Sequence, residues 1–200
     1  MAETSQRVRN PWGQGERLRL EILEAAARLL SELGGEQGLT IRGVARAAGI
    51  APASIYQHFA DKAALVKGLI AYDYEQLAAA MIAAEGQWPE DAVLERLRGL
   101  MKAYCRFALD SPGHYRLMIN NRPAPTVDRA PLLAILRLVI AAFERCEQAG
   151  VRLRRPPRAA AVAVFVGTHG RVALWHASED PTHREMIFEF VDDLVSLVTE

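Results

Sequence analysis

Between Thr40 and Leu65 the chain reads TIRGVARAAGIAPASIYQHFADKAAL, a segment rich in hydrogen-bonding side chains. It offers a hydroxyl, a phenol, an imidazole and an ammonium group, and each of these can donate a hydrogen bond to a phosphate oxygen. It also offers the amide of Gln57, which can pair with adenine through two hydrogen bonds. The segment therefore predicts a surface that binds nucleic acid.

Two short helices must hold these side chains in place. The first follows Thr40, a good N-cap, and ends at Gly49, which suits a tight turn because it has no Cβ. The second begins near Pro52, whose fixed φ suits a first helical turn, and ends near Phe59. Apolar residues such as Ile55 lock both helices to a preceding one. This pattern predicts a helix-turn-helix, whose second helix enters the major groove of DNA.

The predicted contacts are of two kinds. Ser54 and Gln57 read base edges, and the short side chains beside them let the helix approach the bases closely. Hydroxyl, phenol, imidazole and basic groups bind phosphates, and Thr40 does so at a helix N-terminus. The predicted DNA-binding residues are Arg17, Thr40, Arg42, Pro52, Ala53, Ser54, Tyr56, Gln57, His58 and Lys62.

Each of these side chains also has a plainer interpretation. Tyr56 and Phe59 can be core aromatics, which is the preferred interpretation for Phe59. His58 alone is typical of an incidental surface histidine, and Lys62 alone of a solvated lysine. Only their place in one pattern favours contact with DNA.

Helical periodicity dominates the rest of the chain, and no sustained alternation predicts a strand. Glycine and proline breakers divide it into helices at about residues 16–33, 41–48, 52–59, a long one after Asp61, and 91–109, 114–120, 131–148, 158–177 and 182–198. The sequence therefore predicts an all-α protein of about nine helices. Its predicted parts are a flexible N-terminal arm (1–15), a three-helix helix-turn-helix DNA-binding domain (16–62) and a helical ligand-binding and dimerisation domain (63–200).

The run Ser54-Ile55-Tyr56-Gln57-His58-Phe59-Ala60-Asp61-Lys62, followed by Leu65, resembles the signature of the TetR (tetracycline-repressor) family. The resemblance implies a homodimeric, ligand-responsive transcription factor, usually a repressor, that binds a near-palindromic operator and is released by a small molecule. It also implies phosphate contacts from Thr40, Tyr56, His58 and Lys62. Two positions depart from the family pattern: Ala51 replaces a common serine N-cap, and Gly43 replaces the residue that would complete a capping box.

The family resemblance also assigns roles to the second part of the chain. It places the last two helices in a four-helix dimer interface, with contacts from Val162, Phe165, Val166, Ile187, Phe190, Val191 and Leu194. It implies a ligand cavity lined by Trp88, Tyr104, Phe107, Tyr115, Met118, Phe143, His169 and Trp175, although ordinary core packing explains any one of these equally simply. The segments 112–118 and 169–174 further resemble a C-terminal domain type named for a Trp-His-Gly motif.

Composition excludes several classes of protein. The 200 residues carry 24 basic and 24 acidic side chains, which argues against bulk coating of nucleic acid or membrane. No signal peptide or membrane-spanning segment is expected, and Cys105 and Cys146 lack metal or redox spacing, so a cytoplasmic protein with reduced thiols is predicted. No metal, cofactor or catalytic motif appears, so an enzyme is the weaker hypothesis. A helical adaptor that binds protein is the third.

The charges near the N-terminus add one open alternative. Arg7 and Arg9 in the arm, with Arg17 and Arg19 after them, either reach phosphates and a narrow minor groove or form a solvated tail. The basic run from Arg152 to Arg158 lies far along the chain from the helix-turn-helix and is interpreted as a solvated loop or a contact for an acidic partner.

Overall fold

The computed structural model describes residues 14–120, 130–178 and 184–200. Within these residues it contains nine α-helices, one short 3₁₀ helix and one isolated β-bridge, between Leu153 and Thr199. The predicted all-α fold is therefore confirmed. The helices are α1 (Gln14–Leu33), α2 (Ile41–Ala48), α3 (Pro52–Tyr56), α4 (Lys62–Glu85), α5 (Val93–Asp110), α6 (Pro112–Asn120), α7 (Ala130–Gln148), α8 (Pro157–Ala177) and α9 (Arg184–Val198), and the 3₁₀ helix (Glu36–Gly38) follows α1.

Most helix ends lie within two residues of their predicted positions. The exception is α3, which ends at Tyr56, although the amide of Phe59 still donates to the carbonyl of Ile55 at 2.9 Å. Residues 1–13 of the predicted arm lie outside the described residues, as does Thr182, the predicted start of the last helix. None of the described helices is long and apolar enough to cross a bilayer.

Contacts between Cα atoms divide the chain into two compact units, and the boundary lies inside α4, between Leu69 and Ile70. The first unit contains α1 to α3 and the beginning of α4. Its core is built from the apolar stripes of these helices, with buried side chains at Ile22, Leu30, Val44, Ala45, Ile55 and Leu65.

The turn between α2 and α3 has the geometry that its glycine predicts. Gly49 lies in the left-handed region at φ 69° and ψ 27°, and its N–H donates to the carbonyls of Ala45 and Arg46. A residue with a Cβ is disfavoured in this conformation. The turn and the buried Ile55 together fix the direction in which α3 leaves α2.

A helix cap and a close packing contact within the first unit hold the start of α4. Asp61 caps the helix, with its Oδ1 accepting from the N–H of Ala64 at 2.7 Å. Gly68 then faces the buried ring of Phe59 so closely that a Cβ would lie 2.7 Å from Phe59 Cε1. The guanidinium of Arg19 lies 5.1 Å from the centroid of the same ring.

The second unit packs α5, α7, α8 and α9 around one hydrophobic core, with wholly buried side chains at Leu97, Leu100, Met101, Val139, Phe143, Val164, Val172, Val191 and Val195. Two polar groups anchor the distal part of α4 to it. Asp73 Oδ1 lies 2.9 Å from His114 Nδ1 of α6. Glu85 forms ion pairs with Arg96 of α5 and Arg145 of α7.

The contact between Gly68 and Phe59 yields a test of the first unit. Gly68→Ala should lower the free energy of unfolding by up to about 2 kcal/mol, because displacing a packed ring costs about 1–3 kcal/mol and the helix propensity of alanine returns about 1 kcal/mol. Urea denaturation measures the change.

The matched control replaces the aromatic ring of Phe59 with a smaller side chain. In a double-mutant cycle, Phe59→Leu should remove most of the cost of Gly68→Ala, because the methyl group then has room. Additive effects of the two substitutions would contradict the proposed clash.

Candidate functional site

The helix-turn-helix begins at Thr40, whose hydroxyl oxygen accepts a hydrogen bond while its proton remains available for donation. Thr40 caps α2, with its Oγ1 accepting from the N–H of Gly43 at 3.0 Å. The hydroxyl proton is not used in this bond and can still be donated. A Cβ on Gly43 would lie 3.0 Å from that oxygen and 3.2 Å from Leu29, so glycine here lets α2 pack closely on α1.

The third helix begins without a side-chain cap. Ala51 occupies the N-cap and Pro52 the first turn, and the N–H of Ser54 donates to the carbonyl of Ala51 at 2.9 Å. Ile55 is buried beneath the helix, whereas the ring of Tyr56 is 55% exposed. An aromatic side chain directed at solvent from a packed unit is available to an external partner.

None of the ten residues predicted to bind DNA is buried. Ser54 and His58 are half-buried, and the other eight, Arg17, Thr40, Arg42, Pro52, Ala53, Tyr56, Gln57 and Lys62, are exposed. The ring of His58 lies beside Gly15 at the start of α1, where a Cβ would be 4.0 Å from His58 Cε1.

Two of the basic residues already have partners within the chain. Lys62 Nζ donates to the carbonyl of Glu36 at 3.3 Å, which ties the start of α4 to the 3₁₀ helix and leaves two ammonium protons. Arg17 Nε donates to Glu21 at 2.9 Å, the i, i+4 pair that the sequence suggests. The arm residues Arg7 and Arg9 lie outside the described residues.

Four of the predicted ligand-binding residues come together in the second unit. Tyr104 Oη lies 2.6 Å from His169 Nδ1, and the ring of Tyr115 is 5.9 Å from that of His169. The ring of His176 stacks on Tyr115 at 4.5 Å, and that of Trp175 meets His176 edge-on at 4.8 Å.

The other predicted ligand-binding residues have different surroundings. Phe107, Met118 and Phe143 belong to the same hydrophobic core. Trp88 lies elsewhere, 46% exposed over Gly99, where a Cβ would be 3.0 Å from its Nε1.

Burial keeps this aromatic cluster uncharged. It lowers the pKa of His169 and raises the pKa of Tyr104 and of Tyr115, the latter to about 12. The imidazole of His169 is therefore neutral near pH 7, and both phenols keep their protons.

A cavity of about 290 Å³ lies elsewhere in the second unit, lined by Glu85, Glu90, Val93, Arg96, Ala142 and Arg145. Its carboxylate at Glu85 and its two guanidinium groups are paired with one another. None of the predicted ligand-binding residues lines it.

The predicted dimer residues fall into two sets. Phe165, Ile187 and Val191 are buried within the protomer, so their side chains offer no surface to a partner, and Phe165 lies instead 5.4 Å from the ring of Tyr104. Val162, Val166, Phe190 and Leu194 remain exposed or half-buried. A Cβ on Gly167 would lie 2.9 Å from Leu194 Cδ1, so this glycine lets α8 and α9 pack closely.

Sequence reasoning missed five buried polar residues among those described in the second unit: Asp73, Glu85, His114, Thr168 and Thr199. Burial raises the pKa of the Asp73 carboxyl, while the hydrogen bond and charge of His114 act in the opposite direction. Thr168 is wholly buried on α8. An acidic residue among the apolar positions of α4 was the available signal for Asp73. Its partner, 41 positions away, gave none.

Comparison with known proteins identifies both parts of the chain. Residues 22–69 match the family described as bacterial regulatory proteins, tetR family, and residues 97–195 match the tetracyclin repressor-like C-terminal domain. Among solved structures, a Rhodococcus sp. RHA1 protein of unknown function is 25% identical with a TM-score of 0.76, and covers 96% of this chain and 100% of its own.

Other relatives agree at a greater distance. A TetR family transcription regulator from Marinobacter aquaeolei VT8 shares the fold at a TM-score of 0.62 and 20% identity, over 94% of this chain and 98% of its own. The nucleoid occlusion factor SlmA of Vibrio vulnificus is 33% identical over 103 residues, which are 52% of each chain, so this chain spans about half the length of the curated relatives it matches. With two models of one family matched to its two parts, the chain belongs to the TetR family of transcription regulators.

Proposed function

We propose that this regulator is a repressor that binds a near-palindromic operator as a homodimer and is released by a small-molecule effector. The observation that carries the proposal is the exposed surface of α3, which presents Tyr56 and Gln57 outward while Ile55 holds the helix from beneath. A surface of this kind fits the major groove. Because the operator DNA that it binds lies in the cytoplasm, the proposed site of action is the cytoplasm.

Base contacts come from the middle of the short helix. Pro52 and Ala53 are small enough to let the backbone approach the base pairs, and Ala53 meets a thymine methyl group. Ser54 and Gln57 then reach base edges, and Gln57 pairs with adenine. These contacts determine which sequence is bound.

Phosphate contacts surround these base contacts and determine orientation. Thr40 donates its free hydroxyl proton at the N-terminus of α2, where the helix dipole also favours an anion. Tyr56 donates through its phenol, and Lys62 through the two ammonium protons that Glu36 does not engage. His58 and the exposed Arg17 and Arg42 complete the set.

Dimerisation is supported by an apolar face that the protomer leaves exposed. On α8, Val166 is 60% exposed and Leu174 66%, with Val162 one turn before Val166. On α9, Leu197 is 68% exposed beyond the half-buried Phe190 and Leu194. Joined across a two-fold axis, these faces form a four-helix bundle. The dimer sets the two α3 helices about 34–36 Å apart, one turn of DNA.

Release requires that the effector bind one conformation of the protein better than the other. The aromatic cluster is the proposed effector site, and Tyr115 in this cluster directly follows His114. Because His114 holds Asp73 of α4, a ligand that moves α6 also moves that part of α4. A shift of α4 changes the separation of the two α3 helices and weakens operator binding.

The division between phosphate and base contacts predicts two different mutant phenotypes. Tyr56→Phe should weaken binding to operator and to scrambled duplex alike by about tenfold, because a hydrogen bond to a charged group is worth about 1.5–3 kcal/mol. Gln57→Ala should instead lower the ratio of operator affinity to scrambled affinity by at least about fivefold. Fluorescence anisotropy with duplexes from the upstream intergenic region, at several salt concentrations, measures both.

The reverse pattern would contradict the docking model: an altered preference from Tyr56→Phe, or a uniform loss from Gln57→Ala. Salt-insensitive binding, or no binding to any upstream fragment, would refute operator recognition itself.

Substitutions at Thr40 should affect both the stability of the protein and its affinity for DNA. Thr40→Val should lose both the N-cap, costing about 1 kcal/mol of stability, and the phosphate contact. Thr40→Ser keeps the hydroxyl and should resemble the unmodified protein in urea denaturation and in anisotropy. If Thr40→Val loses stability but keeps full operator affinity, the hydroxyl is a cap and nothing more.

The exposed apolar face of α8 predicts that a charged substitution there weakens dimerisation. Val166→Asp should raise the dimer dissociation constant by at least about a hundredfold, because it buries unpaired carboxylates in the interface. Sedimentation velocity at micromolar concentration measures the change. Ile82→Asp, on an equally exposed apolar residue of α4, is the matched control and should remain dimeric. A Val166→Asp protein that sediments as the dimer would exclude this interface.

A further inference from the structure

Two buried polar atoms on one face of α8, Thr168 Oγ1 and Trp175 Nε1, have no hydrogen-bond partner among the described residues. Nearly all buried polar atoms in folded proteins are paired, and an unpaired one costs about 1–3 kcal/mol. Valine would fill the position of Thr168 with nearly the same shape at no such cost.

Trp175 belongs to a connected set of rings, and Thr168 lies two turns before it on the same face of α8. The His176 ring stacks on Tyr115 and is met edge-on by Trp175, and the His169 ring lies 5.9 Å from that of Tyr115. Phe165, one turn before His169, stacks on it at 6.3 Å. A flat apolar molecule placed among these rings would contact aromatic surfaces and polar atoms together.

The cluster carries no formal charge. Tyr104 and His169 bind each other at 2.6 Å, and both are neutral near pH 7. The guanidinium of Arg116, exposed on α6, is the charge that acts on His176. An ion placed among the buried rings would be desolvated, which is costly.

The unpaired atoms also determine which hydrogen bonds a ligand must supply. An indole N–H only donates, whereas a hydroxyl donates or accepts. Acceptor oxygens on the ligand satisfy both atoms, whereas a ligand that offers only donors does not satisfy Trp175.

We propose that this cluster binds an uncharged, flat, largely apolar molecule bearing one or two acceptor oxygens, such as an aromatic ketone or ester. The proposal rests on the proposed function, since this molecule is the class of the effector. Thr168 and Trp175 donate to its acceptor oxygens, and the surrounding rings hold its apolar body.

Four probes of equal shape test the ligand class on the full chain without DNA. 2-Acetylnaphthalene should bind, 2-ethylnaphthalene should bind at least about tenfold more weakly because it lacks the acceptor, and 2-naphthoate and 2-naphthylmethylammonium should bind more weakly still. Isothermal titration calorimetry measures the affinities. Equal affinity for the acetyl and ethyl probes, tighter binding of either ion, or no binding of any probe would overturn the proposal.

One conservative variant tests the hydrogen bond from Thr168. Thr168→Val should raise the melting temperature of the free protein by a few degrees and weaken the binding of 2-acetylnaphthalene about tenfold, with little effect on the binding of 2-ethylnaphthalene. Thr199→Val is the matched control, because its hydroxyl donates to the carbonyl of Val195 at 3.0 Å. It should lower the melting temperature and leave the affinity for the acetyl probe unchanged.

A fall in melting temperature with Thr168→Val would mean that this hydroxyl is satisfied in the free protein, and would overturn the proposal. Operator binding is measured separately by anisotropy without probes. Loss of the probe pattern with operator binding intact refutes the ligand class alone. The reverse result refutes the proposed function and leaves the binding chemistry standing.

Discussion

Helix α3, which we propose enters the major groove of DNA, is too short to be stable on its own. An isolated helix of fewer than about 12 residues is marginal in water, and α3 has five. Its direction is therefore imposed by the left-handed turn at Gly49 and by the burial of Ile55 against the first unit. Each proposed base contact depends on this packing, so a defect beneath α3 affects recognition as directly as a change on its surface.

Close packing fixes the first unit, whereas polar pairs anchor the continuation of α4 in the second. At Gly68 the helix accepts the ring of Phe59 because no side chain intervenes. Further along, Asp73 is held by His114, and Glu85 by Arg96 and Arg145. Breaking a buried pair is costly because it leaves an uncompensated group. The distal part of α4 therefore follows α5, α6 and α7 when those helices move.

Local signals predicted much of the fold and of the DNA-binding surface. Glycine and proline gave nearly all helix boundaries, and the Thr40 cap and the turn at Gly49 followed from residue type alone. The burial of individual apolar residues on α8 and α9 was not predictable, because such a residue looks the same in the sequence whether it faces its own core or a partner. Phe165 is buried in its own core, whereas Val166 remains exposed. Likewise, the position of the Trp88 side chain and the pairing of Asp73 with His114 depend on contacts between segments that are separate in the sequence.

Helix α8 carries two opposite kinds of surface within 21 residues. One face, with Thr168, is buried and holds polar atoms that the protomer leaves unpaired. The other, with Val166 and Leu174, is apolar and exposed. A packed helix moves as a body, so displacement by a ligand on the first face shifts the second as well. In the proposed dimer, effector binding is thus coupled to the interface as well as to α4, and by linkage a change in the interface alters effector affinity to the same extent.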